Sequence, residues 1–219
     1  MKDLLTATYA TGINVDDTGN WFSHRATFYD STYIIHPAQI QMTAGDVHFD
    51  PNTHSVFYPE IAPDPVYNAE NFRETMLNMG MRVNMMGSIA MNGGLIPVEM
   101  WQENTAMYKE KIRPIIREGE LYHILPRPDG VNWDGIMYAD PDSANETKGV
   151  VFLFKQNKDA EGTKRIVMDG LDENKSYELT FMDRPEQNKT VSGKVLMEEG
   201  IDVEILGVGS ELIFITEAE

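Results

Sequence analysis

The hydrophobic pattern changes character near Gly119. Beyond it, short β-branched and aromatic runs recur at 121–125, 135–139, 150–155, 165–168, 177–181, 190–191, 203–206 and 211–216. Pro141-Asp142 and the turn-forming stretches 159–162, 169–174 and 198–200 separate them. Short strands punctuated in this way predict an antiparallel β-sandwich over 119–219. Gly207-Val208-Gly209 reads as a hairpin between the last two runs, because a dinucleotide loop needs a third glycine and a following helix.

Before Gly119 the text is loop-rich, then helical. Tyr33-Ile34-Ile35 ahead of His36-Pro37 predicts a short buried strand stopped by proline. Residues 43–69 hold Gly45, Pro51, Pro59, Pro63 and Pro65 and read as a long irregular excursion, of a kind that compact domains keep for function. A helix is expected from about Glu70, with Phe72, Met76, Met79 and Val83 at helical spacing, and Gly93-Gly94 breaks the pattern. A second helix fits 98–117, with Trp101, Thr105, Tyr108, Ile112 and Ile115 on one face. Pro114 is expected to kink or end it early, and Gly119 to stop it. The methionines at 76, 79, 81, 85, 86 and 91 read as adaptable core filler.

Composition narrows the function classes. Of 219 residues, 42% are hydrophobic and 24% charged, which is the make-up of a folded chain. The net charge of −17 argues against nucleic acid or an anionic membrane surface as partner, since both need clustered Lys and Arg. The absence of cysteine excludes a disulfide scaffold, a thiolate zinc site, an iron–sulfur cluster and a Cys nucleophile. No apolar run approaches the roughly 18 residues of a membrane span, and the first residues lack the apolar stretch of a signal peptide. Compartment stays open.

The densest polar cluster is Asn14-Val15-Asp16-Asp17-Thr18-Gly19-Asn20-Trp21, followed by His24 and Arg25. Adjacent carboxylates beside an aromatic suit a sugar site, where a carboxyl donates a proton and an indole stacks on the ring. The same residues also suit an Asp/Asn/Gly turn with a helix cap at Asp17 or Thr18. Asp46, His48 and Asp50 at strand spacing, with His54 close behind, would share a face as in an oxygen/nitrogen metal site, but equally suit a polar loop edge. His36 and His123 read as hydrogen-bonded packing histidines. No Gly-x-Ser-x-Gly elbow supports a serine hydrolase.

The succession from Tyr108-Lys109 through Arg113-Pro114 to Gly119-Glu120-Leu121-Tyr122 resembles the end of the catalytic barrel of glycoside hydrolase family 36, the melibiase-type α-galactosidases. Residues 149–154, Gly170-Leu171-Asp172 with Tyr177, and 192–197 with Gly200 resemble that family's C-terminal sandwich. Further upstream, Val15-Asp16-Asp17-Thr18-Gly19 is similar to the family's Ser-Asp-x-Thr-Asp segment, Arg25 to its downstream arginine, and Tyr29-Asp30-Ser31-Thr32 with His36-Pro37 to its last barrel strand. Gly19 stands where the family has its final Asp, and Val15 where it has Ser.

The resemblance implies an α+β chain: a remnant of a (β/α)8 barrel at 1–118, holding the last strand and helices, then the sandwich at 119–219. It implies retaining hydrolysis of α-galactosides or related α-linked sugars. Asp16 is the implied acid/base with Asp17 as second choice, and Trp21, Arg25 and His36 are implied substrate-binding residues. No metal or organic cofactor is implied. The family's nucleophile lies in a Lys-Trp-Asp strand well upstream, only 15 residues precede Asp16, and a full barrel takes at least about 200. The chain is therefore expected to be an inactive C-terminal piece, whose partners are a carbohydrate and either the missing N-terminal barrel part or a second copy. An incomplete barrel is expected to expose the apolar faces of the Met-rich helix and of the helix bearing Trp101 and Tyr108. The alternative is a non-catalytic module whose sandwich binds carbohydrate or serves a structural role.

Overall fold

The computed structural model describes residues 12–15, 21–44, 69–91 and 97–218. They form two compact units: Met1–Arg113 with Arg127–Asp129, and Pro114–Pro126 with Gly130–Glu219.

The first unit holds three parallel strands, β1 (Ile13–Asn14), β2 (Ile40–Ala44) and β3 (Ser88–Met91), in the order β1-β2-β3. Helix α1 (Trp21–Ser31) connects β1 to β2, and α2 (Ala69–Met85) connects β2 to β3. Ile13, Ile40 and Met42 are buried on one face. A Cβ on Gly87 would meet the Ile40 carbonyl oxygen at 2.6 Å, and both Met42 Cγ and Phe28 Cε2 at 3.1 Å. Glycine is needed there because α1 and the sheet close directly over that backbone. Three strands stand where the sequence suggested one.

Two local expectations are overturned. Residues 33–35 are turns beyond α1 rather than a strand, with the amides of Ile34 and Ile35 both bonded to the Ser31 carbonyl, and Tyr33 and Ile34 are 68% and 70% exposed. The text 29–31 likewise belongs to α1, and β2 begins only beyond Pro37. Helix α1 gave no apolar signal because its buried positions include His24 and Arg25 beside Ala26 and Phe28. The Met-rich stretch of α2 is not exposed: Met79, Met81, Val83, Met85 and Met86 are all within 2% of full burial.

Helix α3 (Val98–Met107) passes through one π turn (Tyr108–Ile112) into α4 (Arg113–Glu118). Proline at 114 has no N–H to offer the carbonyl one turn back, and its ring would press on that carbonyl. The ladder widens ahead of it, with the Arg113 N–H reaching back to the Tyr108 carbonyl, so the helix neither ends nor breaks. The Tyr108 hydroxyl donates to the Gly87 carbonyl at 2.8 Å and fixes the turn into β3. Tyr108 is nearly buried, whereas no residue of α3 is buried and Val98 is 64% exposed.

The second unit is antiparallel. A six-stranded sheet has the order β4 (Glu120–Tyr122), β5 (Asp134–Ala139), β6 (Thr147–Lys155), β11 (Gly209–Glu217), β8 (Ser176–Phe181), β9 (Lys189–Ser192). A two-stranded sheet pairs β7 (Thr163–Ile166) with β10 (Ile201–Glu204). Each of the eight runs read from the sequence corresponds to one of these strands. Met137, Val151, Leu153, Leu179, Phe181, Ile213 and Ile215 from one face of the large sheet share a core with Ile166, Ile201 and Val203 of the small one. The other face, with Ile136, Tyr138, Val150, Phe152, Phe154, Leu212 and Phe214, is withdrawn from solvent as well.

Helix α5 (Gly193–Glu198), absent from the sequence reading, interrupts the strands. Ser192 caps it by accepting from the Val195 amide, and Gly200 ends it at φ +70°, where only glycine is unstrained. The fully buried carboxylate of Glu211 is satisfied. It accepts from the Asp183 and Leu212 amides at 3.0 Å each and from Arg184 Nη1 at 2.8 Å.

Candidate active site

In parallel β/α architectures ligands bind where strands end at their carboxyl side, because the loops there converge and the strand interiors are packed. The registers Ile13↔Ile40, Asn14↔Gln41, Gln41↔Ser88 and Ala44↔Met91 put the carboxyl ends of β1, β2 and β3 on one side. The sequence leaving β1 is Val15-Asp16-Asp17, and that leaving β2 is the proline-rich 45–68. Both functional segments singled out from the sequence therefore continue from strand carboxyl ends. Asp16 and Asp17 themselves lie outside the described residues, as do 45–68 with Asp46, His48, Asp50 and His54.

Trp21 is the first residue of α1, on the same side as the end of β1. Arg25 follows one turn later and is fully buried. Helical Cα–Cβ bonds tilt toward the helix N-terminus, so Arg25 is directed back toward that side. His36 is placed differently. It precedes β2, at the amino end of the sheet, and its Nδ1 accepts from the Ala38 amide at 3.2 Å while capping the Pro37–Gln39 turn. Topology separates it from the Asp16 side, and its observed work is to hold a turn.

The sheet face opposite the helices carries a feature that sequence reading missed. Asn14, Gln41 and Ser88 are direct cross-strand partners and so stand in one row. Gln41 is exposed on the central strand, and Asn14 and Ser88 are half-buried. The Gln41 side chain lies beside Gly12, just ahead of β1, where a Cβ would be in ordinary contact with its Cδ, Cγ and Nε2 at 3.4–3.5 Å. Strand alternation at Ile13-Asn14 and Ile40-Gln41-Met42 was the available signal, but it could be used only once the parallel register was known.

Ionisable groups elsewhere in the first unit have local causes. Arg127 grips Asp30 through Nε and Nη2, both at 2.8 Å, and this hydrogen bonding holds the carboxyl below its ordinary range. Burial, with hydrogen bonding to Tyr33, pushes the Tyr29 phenol up to about 12. In the second unit, burial lowers His123, in keeping with a packing histidine. Among the described residues no group of three His, Asp or Glu is arranged to hold a metal ion, and no helix is long and apolar enough to cross a membrane.

Residues 133–215 match the glycosyl hydrolase family 36 C-terminal domain. That stretch of the second unit is thus similar to the family's C-terminal domain. The fold agrees over a longer span. The α-galactosidase AgaA from Geobacillus stearothermophilus in complex with stachyose aligns with TM-score 0.68 and 18% identity, covering 93% of this chain and 25% of that one. The same enzyme's raffinose complex gives 0.66 and 16% with the same coverage, and AgaB from that organism gives 0.63 and 16%, again over 93% and 25%. The chain thus spans a quarter of the length of these family 36 structures. A search of curated protein sequences gives no match.

Proposed function

We propose that this chain is the C-terminal part of a retaining family 36 α-galactosidase, with the first unit contributing to a (β/α)8 barrel and the second forming the C-terminal β-sandwich. The observation that carries the reading is the order of parts. A parallel β-α-β-α-β segment is followed by an antiparallel domain with the family's signature, in the succession found in the family 36 structures.

On this reading Asp16, beyond the carboxyl end of β1, protonates the glycosidic oxygen and then takes a proton from water, and Asp17 is the alternate. A retaining pair needs a second carboxylate about 5–5.5 Å away as nucleophile. The rest of the barrel supplies it. Trp21 and Arg25 border the sugar from α1. The 219 residues alone are inactive, and no metal or organic cofactor takes part.

The rival reading, a sandwich that binds carbohydrate or is purely structural, has less support. Sugar platforms present open ring faces, and every aromatic of the second unit except the half-buried Tyr122 is buried, Trp133 included. The test is hydrolysis of p-nitrophenyl α-galactopyranoside by a protein in which this chain is joined to the rest of its barrel. Asp16→Asn is expected to lower kcat by about 10²–10⁴-fold, the usual worth of acid–base catalysis, with retention at the anomeric carbon. An unchanged kcat would move the role to Asp17 or remove it from this chain.

A further inference from the structure

Helix α3 and the π turn that continues it carry an exposed face on which charge is separated by sign. Glu99, Glu103, Ala106, Lys109 and Arg113 are all exposed, whereas Tyr108 and Ile112 are buried. The two carboxylates lie seven and three residues before Ala106, and the two cations three and seven residues after it. The spacing is a palindrome of opposite sign.

A helix face that meets only water favours the reverse arrangement. There, opposite charges four residues apart support the helix and like charges oppose it. Glu99 and Glu103 are four apart, and so are Lys109 and Arg113. The helix dipole accounts for Glu99 in the first turn, but its influence fades before Glu103 and does not reach Lys109. Among the described residues none of these four charges has an ion pair or a side-chain hydrogen bond, although Glu110 lies three residues before Arg113. Charge balance also sets the stretch apart. With 35 acidic residues against 18 basic, two copies of the chain repel over most of their surface. Residues 98–113 hold three of each sign.

We propose that this face joins two copies of the chain, with their helices antiparallel about a two-fold axis at Ala106. Two-fold symmetry sets a patch against itself, so a palindrome of opposite sign becomes complementary. Glu99 faces Arg113 of the partner subunit, and Glu103 faces the partner's Lys109. Gln102, also exposed, stands opposite the partner's Glu110 as a donor to an acceptor. The two alanines meet on the axis, where a small side chain lets the helices approach. Every charge left unanswered within one chain is answered in the pair. The proposal goes beyond the α-galactosidase reading and does not rest on it. It is also distinct from association through the apolar side of the same helix, which would leave these four charges in water.

Sedimentation velocity of the 219-residue chain and two charge-reversed variants tests it. One variant carries Glu99→Arg with Glu103→Lys, the other Lys109→Glu with Arg113→Glu. All four positions are exposed, and circular dichroism checks that both variants fold. The unchanged chain is expected to pass from monomer to dimer as its concentration rises. Each variant alone sets like charges against each other across the axis, and its dimer is expected to weaken at least about tenfold. Ala106→Glu, which brings two carboxylates together on the axis, is expected to act in the same direction. A mixture of the two reversed variants is expected to recover the dimer in a one-to-one ratio. An unchanged chain that stays monomeric overturns the proposal. Self-association that both variants retain overturns it too, and assigns the contact to the apolar faces. A mixture that fails to pair overturns the antiparallel arrangement.

Discussion

The two units solve the same problem, a sheet that must be covered, by different means. In the second unit the central strands β5, β6 and β11 of the six-stranded sheet are buried on both faces, and β6 and β11, nine residues each, run in register along nearly their whole length. In the first, β1 has two residues and β3 four, one face is apolar and the other polar. A sheet with two apolar faces has only a structural task left to it. A short one with a polar face beside strand carboxyl ends is where chemistry has room. The contrast between a packed scaffold and a candidate site is thus visible in side-chain character before any reaction is considered.

The largest test of this contrast is Phe152→Ala. Truncating a fully buried aromatic in the sheet centre is expected to cost about 3–5 kcal/mol, read by chemical denaturation with hydrogen exchange at the β6 and β11 amides. A cost below about 1 kcal/mol would mean that this face is less tightly packed than its burial implies. In the first unit the corresponding test removes a single oxygen. Tyr108→Phe deletes the hydroxyl bonded to the Gly87 carbonyl and leaves that buried acceptor unpaired, at about 1–2 kcal/mol. Faster exchange at the β3 amides, with β6 unchanged, is the expected signature.

The smallest effect is electrostatic. Asp30 titrates lower in the folded chain than in the unfolded one because Arg127 hydrogen-bonds the ionised form. Its contribution is therefore complete above the unfolded carboxyl range and is lost as pH falls through the folded value. Both partners are about half exposed, so about 0.5 kcal/mol is expected. The stability difference between the parent and Asp30→Asn, measured down to pH 2, should close as the pH falls. A difference that stays constant would assign the pair no role.

The second unit was legible because antiparallel neighbours are set mostly by local alternation and turns, both written in consecutive residues. Its one omission, α5, is a single capped turn and a half that carries too little periodicity to register. The first unit was harder to read for a physical reason. Strands of two to five residues give almost no alternation, and their pairing spans connections of 25 residues or more. Tyr33-Ile34-Ile35 looked like a strand because β-branched residues precede a proline, but the run is spent on the exit from α1. The acidic cluster at 14–17 was recognised by its residues and a resemblance. The Asn14–Gln41–Ser88 row could not be, since its members are 27 and 47 residues apart in sequence.

The burial of Met79, Met81, Met85 and Met86 has a consequence in redox chemistry. The chain has no cysteine, so methionine is the only sulfur that peroxide can attack. These four thioethers are sealed in the first unit, whereas Met182 of the second is 43% exposed. Met182 should gain its oxygen quickly, and the others only when the helix that carries them opens. Mass spectrometry of a peroxide time course would therefore turn the chain into its own stopwatch, with Met182 marking oxidant exposure and the buried four counting openings of the first unit.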